Sequence, residues 1–343
     1  MTKAYRREIL TSIAGIAGTA LALPRLSSAQ SSPRSIRVTQ AVTSLSYIHS
    51  YVAQSQGFFK QAGLAAELVD TGGGGPDVQL VLAGRAELTV NDGAQVLPAL
   101  QQGQALKCVM SLLDKSIINA TIRKETADRL GITASTPFAE KIAKLKGLKI
   151  GVTRPGALTW QQARFNLISA GLNPDRDAEV IGIGGASALG AALENGRVDV
   201  IYISMPIGER LVQSGKGILL VNNSRGEDPR LASFMMEGLW ATPEFIKANR
   251  DVVARAVKAY ARAGAFIRDA RIEDVVAAVK PVLGSVGDEV LLEGAKGVRS
   301  AVSRTGRMDN AELAATQLVL RENGALNREF KLDDVFDGSF LAS

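Results

Sequence analysis

Few residues of this chain are placed to do chemistry, and their types narrow what that chemistry can be. The stretch Asp70 to Val90, DTGGGGPDVQLVLAGRAELTV, carries four consecutive glycines after an apparent strand. A nucleotide-phosphate loop would need Lys followed by Ser or Thr after its glycines, so that an ammonium and a hydroxyl reach phosphate and magnesium. Pro76, Asp77 and Val78 stand there instead. GIGGAS, from Gly182 to Ser187, looks like a dinucleotide fingerprint, but Ser187 replaces its third Gly or Ala. His49 is the only histidine and Cys108 the only cysteine. A histidine zinc site or a Ser-His-Asp triad would therefore have to grow around one residue. His49 lies in SYIHSYVAQ, which reads as a helix in which it is a half-exposed structural residue. These patterns make a nucleotide-phosphate loop, a dinucleotide fingerprint, a histidine zinc site and a Ser-His-Asp triad poor readings.

The elements that would position a recognition site follow one script twice. Ile36 to Val90 and Leu148 to Ile203 each open on a short β-branched strand and pass a Ser/Thr/Gly loop into a helix. Each then reaches an AGL turn, at Ala62-Gly63-Leu64 and Ala170-Gly171-Leu172, and a second strand runs into a glycine loop. A short helix follows, ending at Gly84 in GRAEL and at Gly196 in GRVDV, where glycine suits a left-handed helix end. Ile48, Tyr51, Val52 and Ser55 share one helical face, as do Val78, Val81 and Leu82. Strands alternating with helices imply parallel sheets with helices on both faces. Ligands of such sheets bind beyond the carboxyl ends of the strands, where loops and helix N-termini leave N–H groups unpaired. The glycines of TGGGG would let a ligand approach the backbone there, although a tight turn alone would also account for them.

Residues 1–29 are set apart from this fold. They join a basic start containing Arg6 and Arg7, an apolar stretch from Ile9 to Leu23, and a small-residue cleavage site at Ser27-Ser28-Ala29. The paired arginines resemble a twin-arginine export signal, and the apolar run falls short of a membrane span. Removing the segment takes the formal charge from +6 to +3. No Lys/Arg stripe with interleaved aromatics accompanies that charge, so nucleic acid is not expected as a partner. A single cysteine excludes an intramolecular disulfide, and the fold must rest on its core.

YVAQSQGFFKQAGL at Tyr51 to Leu64, LVLAGRAELTV at Leu80 to Val90, LKGLKIGVTRPGALT at Leu145 to Thr159, ISAGLNPDRDAEVIGIGG at Ile168 to Gly185 and AALENGRVDVIYISMP at Ala191 to Pro206 form an ordered set. In that set the chain resembles the periplasmic substrate-binding proteins of ABC importers, in the nitrate/sulfonate/taurine and thiamine-precursor branch. The resemblance runs from about Ser35 to the C-terminal DDVFDGSFL. It implies a two-lobed, type II periplasmic-binding fold, each lobe a mostly parallel sheet flanked by helices. Lobe 1 would comprise residues 35–117 and 223–343, and lobe 2 residues 118–222, with crossovers near Leu113 to Ile118 and Asn222 to Gly226. A helix capped by Thr242, with Pro243 and Glu244 in its first turn, and a core-packing helix over Asp251 to Ile267 follow the return.

The resemblance also implies a cleft. Ser44, Ser46 and Tyr47 would come from the loop after the first strand, Gly73 and Gly74 from the glycine loop, and Asn91 and Asp92 from NDG. Lobe 2 would add Arg154, Gly156, Thr159, Trp160, Gly185, Ala186, Ser187, Ser204 and Met205. Arg154 would clamp an anionic organic ligand such as a sulfonate or an aromatic carboxylate. Tyr47 and Trp160 would supply apolar walls, while Asp92 would read a hydroxyl or an amine. The implied protein is a soluble periplasmic monomer that captures a small molecule and hands it to permease and ATPase subunits, with no cofactor. Enzymes and receptor-docking sensors share the fold. The iron-dependent enzymes of thiamine-pyrimidine synthesis carry a cysteine-rich motif, which a chain with one cysteine lacks.

Overall fold

Short apolar runs form the strands, and what lies between them decides which neighbours they take. The protein, a computed structural model, is described over residues 32–72 and 75–341. The export signal read in residues 1–29 and the pair Gly73 and Gly74 lie outside the described residues. The first sheet contains β1 (Arg34–Gln40), β2 (Leu64–Asp70), β3 (Leu88–Asn91), β4 (Lys107–Leu113) and, from much later in the chain, β10 (Glu237–Ala241). The second contains β5 (Ile118–Arg123), β6 (Lys149–Val152), β7 (Glu179–Gly182), β8 (Val200–Ser204) and β9 (Gly217–Val221). Their spatial orders are β2-β1-β3-β10-β4 and β7-β6-β8-β5-β9.

Those orders carry the repeat. β1 sits between β2 and β3 in parallel, and β6 sits between β7 and β8 in parallel. Each sheet has one antiparallel strand in the corresponding place: β10 between β3 and β4, and β5 between β8 and β9. The protein is thus two lobes of mostly parallel sheet flanked by helices, as the sequence pattern predicts. Gly84 and Gly196 both close their short helices at positive φ, 66° and 67°, a conformation that glycine adopts without a Cβ penalty.

The fully buried Trp240 and Tyr260 anchor the first lobe. Trp240 Nε1 donates to the carbonyl oxygen of Asn91 at 2.9 Å, which ties β10 to the end of β3. The helix Arg250–Asp269 buries one face against Ile48–Ser55, with the hydroxyls of Tyr260 and Ser50 3.0 Å apart. Thr242 caps the preceding helix Pro243–Ala248, its hydroxyl accepting from the N–H of Phe245 at 3.1 Å. One expectation is corrected here: His49 is buried rather than half-exposed, because the helix Arg250–Asp269 covers it. A Cβ on Gly264 of that helix would stand 3.3 Å from His49 Nε2. Burial first, and the nearby Arg268 second, push the imidazole pKa down to about 3, so it is neutral.

The helix Asp288–Arg299 meets both lobes through two glycines. A Cβ on Gly294 would lie 2.5 Å from Leu45 Cδ1 and 3.2 Å from Pro206 Cβ, and one on Gly297 would lie 2.7 Å from Met205 Cε. Only a glycine face lets that helix come so close to the loop after β1 and the segment after β8.

Candidate functional site

Strand ends and helix starts from both lobes converge on one small cavity of about 50 Å³. From the first lobe, Ser44 ends the loop after β1, and its hydroxyl accepts from the N–H of Ser46 at 3.2 Å, which starts a short 3-10 turn and turns Tyr47 inward. Asp92 follows β3 and caps the helix Gly93–Gln101, accepting from the N–H of Gln95 at 3.0 Å. Glu237 opens β10, where a register irregularity separates it from Gly238. From the second lobe come Thr153 and Thr159, their hydroxyls 2.8 Å apart, and Ser204 at the end of β8.

The predicted residues divide by place. Ser44, Ser46, Tyr47, Asp92, Thr159 and Ser204 line the cavity together. Asn91 stands behind Asp92, its side-chain oxygen accepting from the N–H of Asp92 at 2.9 Å. Gly156 joins the lobes at the rim, its carbonyl accepting from Gln95 Nε2 at 2.9 Å. Arg154 is half-buried with its guanidinium against Gly75, Nη2 lying 2.6 Å from where a Cβ of that glycine would be. It is not part of the cavity wall. Trp160 does not line the cavity either; it packs on the core with the Arg164 guanidinium 4.3 Å above its ring. Gly185, Ala186 and Ser187 start the helix Ala186–Glu194 outside the wall, and Ser187 is exposed. Met205 is buried against Gly297, and its carbonyl accepts from the N–H of Leu45 at 3.2 Å.

Glu237 was not legible as a site residue, and neither were Thr153, Ala41, Val42 and Met236, which also line the cavity. A signal for Glu237 exists in hindsight: it is the lone acid in the apolar run Phe234 to Ala241.

The first-lobe wall is strongly acidic. Burial raises the pKa of Glu237 well above the usual carboxylate range, and Asp92 and Asp77 raise it further, while the hydroxyl of Ser46 favours the charged form. Asp92 is pushed up to about 7, by burial and then by Asp77. Asp77, on the helix Pro76–Leu82, is itself raised by burial although the N–H groups of Gly75 and Val78 donate to its Oδ1 at 2.6 and 3.0 Å. The phenol of Tyr47 is raised well above its ordinary value by burial and then by these three carboxyls. Three acids that cannot all ionise in one low-dielectric place keep protons above the ordinary carboxylate range. Among the described residues no group of three or more His, Cys, Asp or Glu side chains could hold a metal ion.

Comparison with known proteins adds the lineage. The family model described as NMT1/THI5 like matches residues 45–270. The putative binding protein YtlA of Bacillus subtilis (strain 168) is 20% identical over 258 residues, covering 75% of this chain and 73% of YtlA. Among solved structures, the alkanesulfonate-binding protein SsuA of Xanthomonas axonopodis pv. citri, bound to MOPS, superposes with a TM-score of 0.69 at 18% identity, over 88% of this chain and 98% of SsuA. The periplasmic nitrate-binding protein NrtA of Synechocystis PCC 6803 gives 0.70 at 15% identity, over 89% of this chain and 86% of NrtA. The same fold also carries catalysis: the desulfurization enzyme DSZB matches with a TM-score of 0.62 at 20% identity, over 90% of this chain and 97% of DSZB.

Proposed function

The chain belongs to the NMT1/THI5-like family, and from that premise we propose that it is an extracytoplasmic solute-binding protein. It captures a small polar organic molecule between its lobes and delivers it to the permease and ATPase subunits of an ABC importer. The observation that carries this reading is the cavity walled by side chains of both lobes, Ser44, Tyr47 and Asp92 on one side and Thr159 and Ser204 on the other. A ligand touching both walls favours the closed arrangement by its differential affinity for it, and closure is what a permease would read. Lobe 1 is assigned residues 35–117 and 223–343 and lobe 2 residues 118–222, so the hinge falls on the segments after β4 and after β9. Residues 1–29 would direct export to the periplasm, where the protein acts as a monomer. No helix among the described residues is long and apolar enough to cross a membrane.

The likeness to DSZB supports catalysis as a second reading. A solute screen that follows both thermal stabilisation and small-angle scattering tests the two together. A compound that raises the melting temperature, compacts the protein and is recovered unchanged supports capture. Conversion of the compound would replace capture by catalysis, and stabilisation without compaction would remove the two-lobe mechanism.

A further inference from the structure

The cavity has an acidic half and a neutral half. Asp92, Glu237 and Tyr47 face it from the first lobe, with Asp77 close enough to act on all three, whereas the second lobe contributes Thr153, Thr159 and Ser204. Among the described residues no Lys, Arg or His lines the wall, and Arg154 lies against Gly75 instead. Glu237 is only 3% exposed, and its Oε2 has no hydrogen-bond partner among the described residues. A buried carboxyl oxygen without a donor is costly, and a ligand that brings the donor removes that cost. A sulfonate or carboxylate entering the same space would find no cation among the described residues of the wall and would have to keep protons on both Asp92 and Glu237. The wall is therefore better matched to a cation than to the anionic class expected from Arg154.

We propose, on the premise that the cleft captures a solute, that the cavity receives a protonated primary amine whose ammonium sits between Asp92 and Glu237. An ammonium presents three donors and no acceptor, which suits two carboxylates and a hydroxyl such as that of Ser204. The volume of about 50 Å³ is that of a few water molecules, enough for an ammonium head with its first carbon atoms. The protonation of the wall supports the fit. Burial and mutual repulsion keep protons on Glu237 and partly on Asp92, so an arriving cation releases them to solvent and the buried charge stays near balance. Amine binding consequently tightens as pH rises through Asp92's pKa of about 7, and an anion held by the protonated acids would behave in the opposite way.

Calorimetric titration of the whole chain with primary alkylamines from methylamine to butylamine, beside carboxylates and sulfonates of the same length, at pH 6 and pH 8, tests the seat. The expected result is amine binding at least about tenfold tighter at pH 8 than at pH 6: a proton released by Asp92, with its pKa of about 7, gives about tenfold over that range, and a whole proton released throughout gives about a hundredfold over the two pH units. Glu237→Gln should weaken the amines about tenfold or more and flatten the pH response. Asp92→Asn should do the same while keeping the helix cap, since Asn caps as well as Asp. Carboxylates or sulfonates that bind in the cleft, tighten as pH falls and ignore Glu237→Gln would overturn the amine seat yet leave capture standing. Failure of every amine at millimolar concentration would overturn it too. The fate of the capture reading would then be decided separately, by whether any solute compacts the protein.

Discussion

At Glu237, burial, two neighbouring acids and an unpartnered oxygen all act on one proton, so the residue links pH to stability as well as to ligand choice. Its folded pKa lies above the unfolded value, as does that of Asp92 at about 7 and of Glu312 at about 8, the last mainly through burial beside Ser111. The stabilisation they allow is complete below about pH 4, where the unfolded chain also binds the protons; the shares of Asp92 and Glu312 are lost as pH rises through about 7 and about 8, and that of Glu237 as pH rises through its own raised pKa. The melting temperature of the ligand-free protein should therefore fall between pH 5 and pH 8.5. Glu237→Gln, which mimics the protonated acid, should raise the melting temperature at pH 8 and leave it nearly unchanged at pH 5. A scan series across that range checks both, and a mutant that loses stability at pH 8 would show that the charged form is the one the fold needs. His49 stands apart from this linkage at neutral pH, because with a pKa near 3 it is neutral in both states above pH 7.

Helices and strands were legible where the sequence states its own constraint. Gly84 and Gly196 announce helix ends because a positive φ selects glycine, and Thr242-Pro243-Glu244 announces a helix start through its cap. The duplicated order of β1 to β3 and β6 to β8 followed from these punctuation marks. Glu237 was not legible, because its partners Asp92 and Ser46 meet it only when β10 inserts beside β3. The place of Trp160 was not legible for the same reason: a half-buried aromatic on a helix declares burial, and only the fold shows that Arg164 stacks on its ring outside the cavity lining. The glycines of Asp288–Arg299 carry an element-scale prediction. Gly294→Val would press methyl groups into the buried Leu45 and Pro206, and overpacking of this kind costs about 1–3 kcal/mol. Chemical denaturation should show that loss, and a neutral result would mean that the helix shifts without cost.

Across the whole molecule, polar contacts between the two lobes include Gln95 to Gly156, Asn323 Nδ2 to the carbonyl of Gln161 at 2.8 Å and the N–H of Leu45 to the carbonyl of Met205. Gln95→Ala should remove about 0.5–1.5 kcal/mol from the closed form and weaken ligand binding several-fold, with little effect on the melting temperature of the ligand-free chain. Equal binding by the mutant would show that the contact persists in neither or both of two states. Topology also orders the assembly of the lobes. β5 to β9 are contiguous in the chain, so the second sheet closes on its own residues. The first sheet cannot: β10 fills the slot between β3 and β4, and it is synthesised only after the chain has traversed the other lobe and come back. Until Glu237 to Ala241 arrive, the facing edges of β3 and β4 lack their shared partner, and such long-range closure is slow and leaves strand edges open to misassociation. The strand that brings the buried acid to the cavity is therefore also the last of the first sheet in chain order: the acidic wall and that sheet are completed in the same late step.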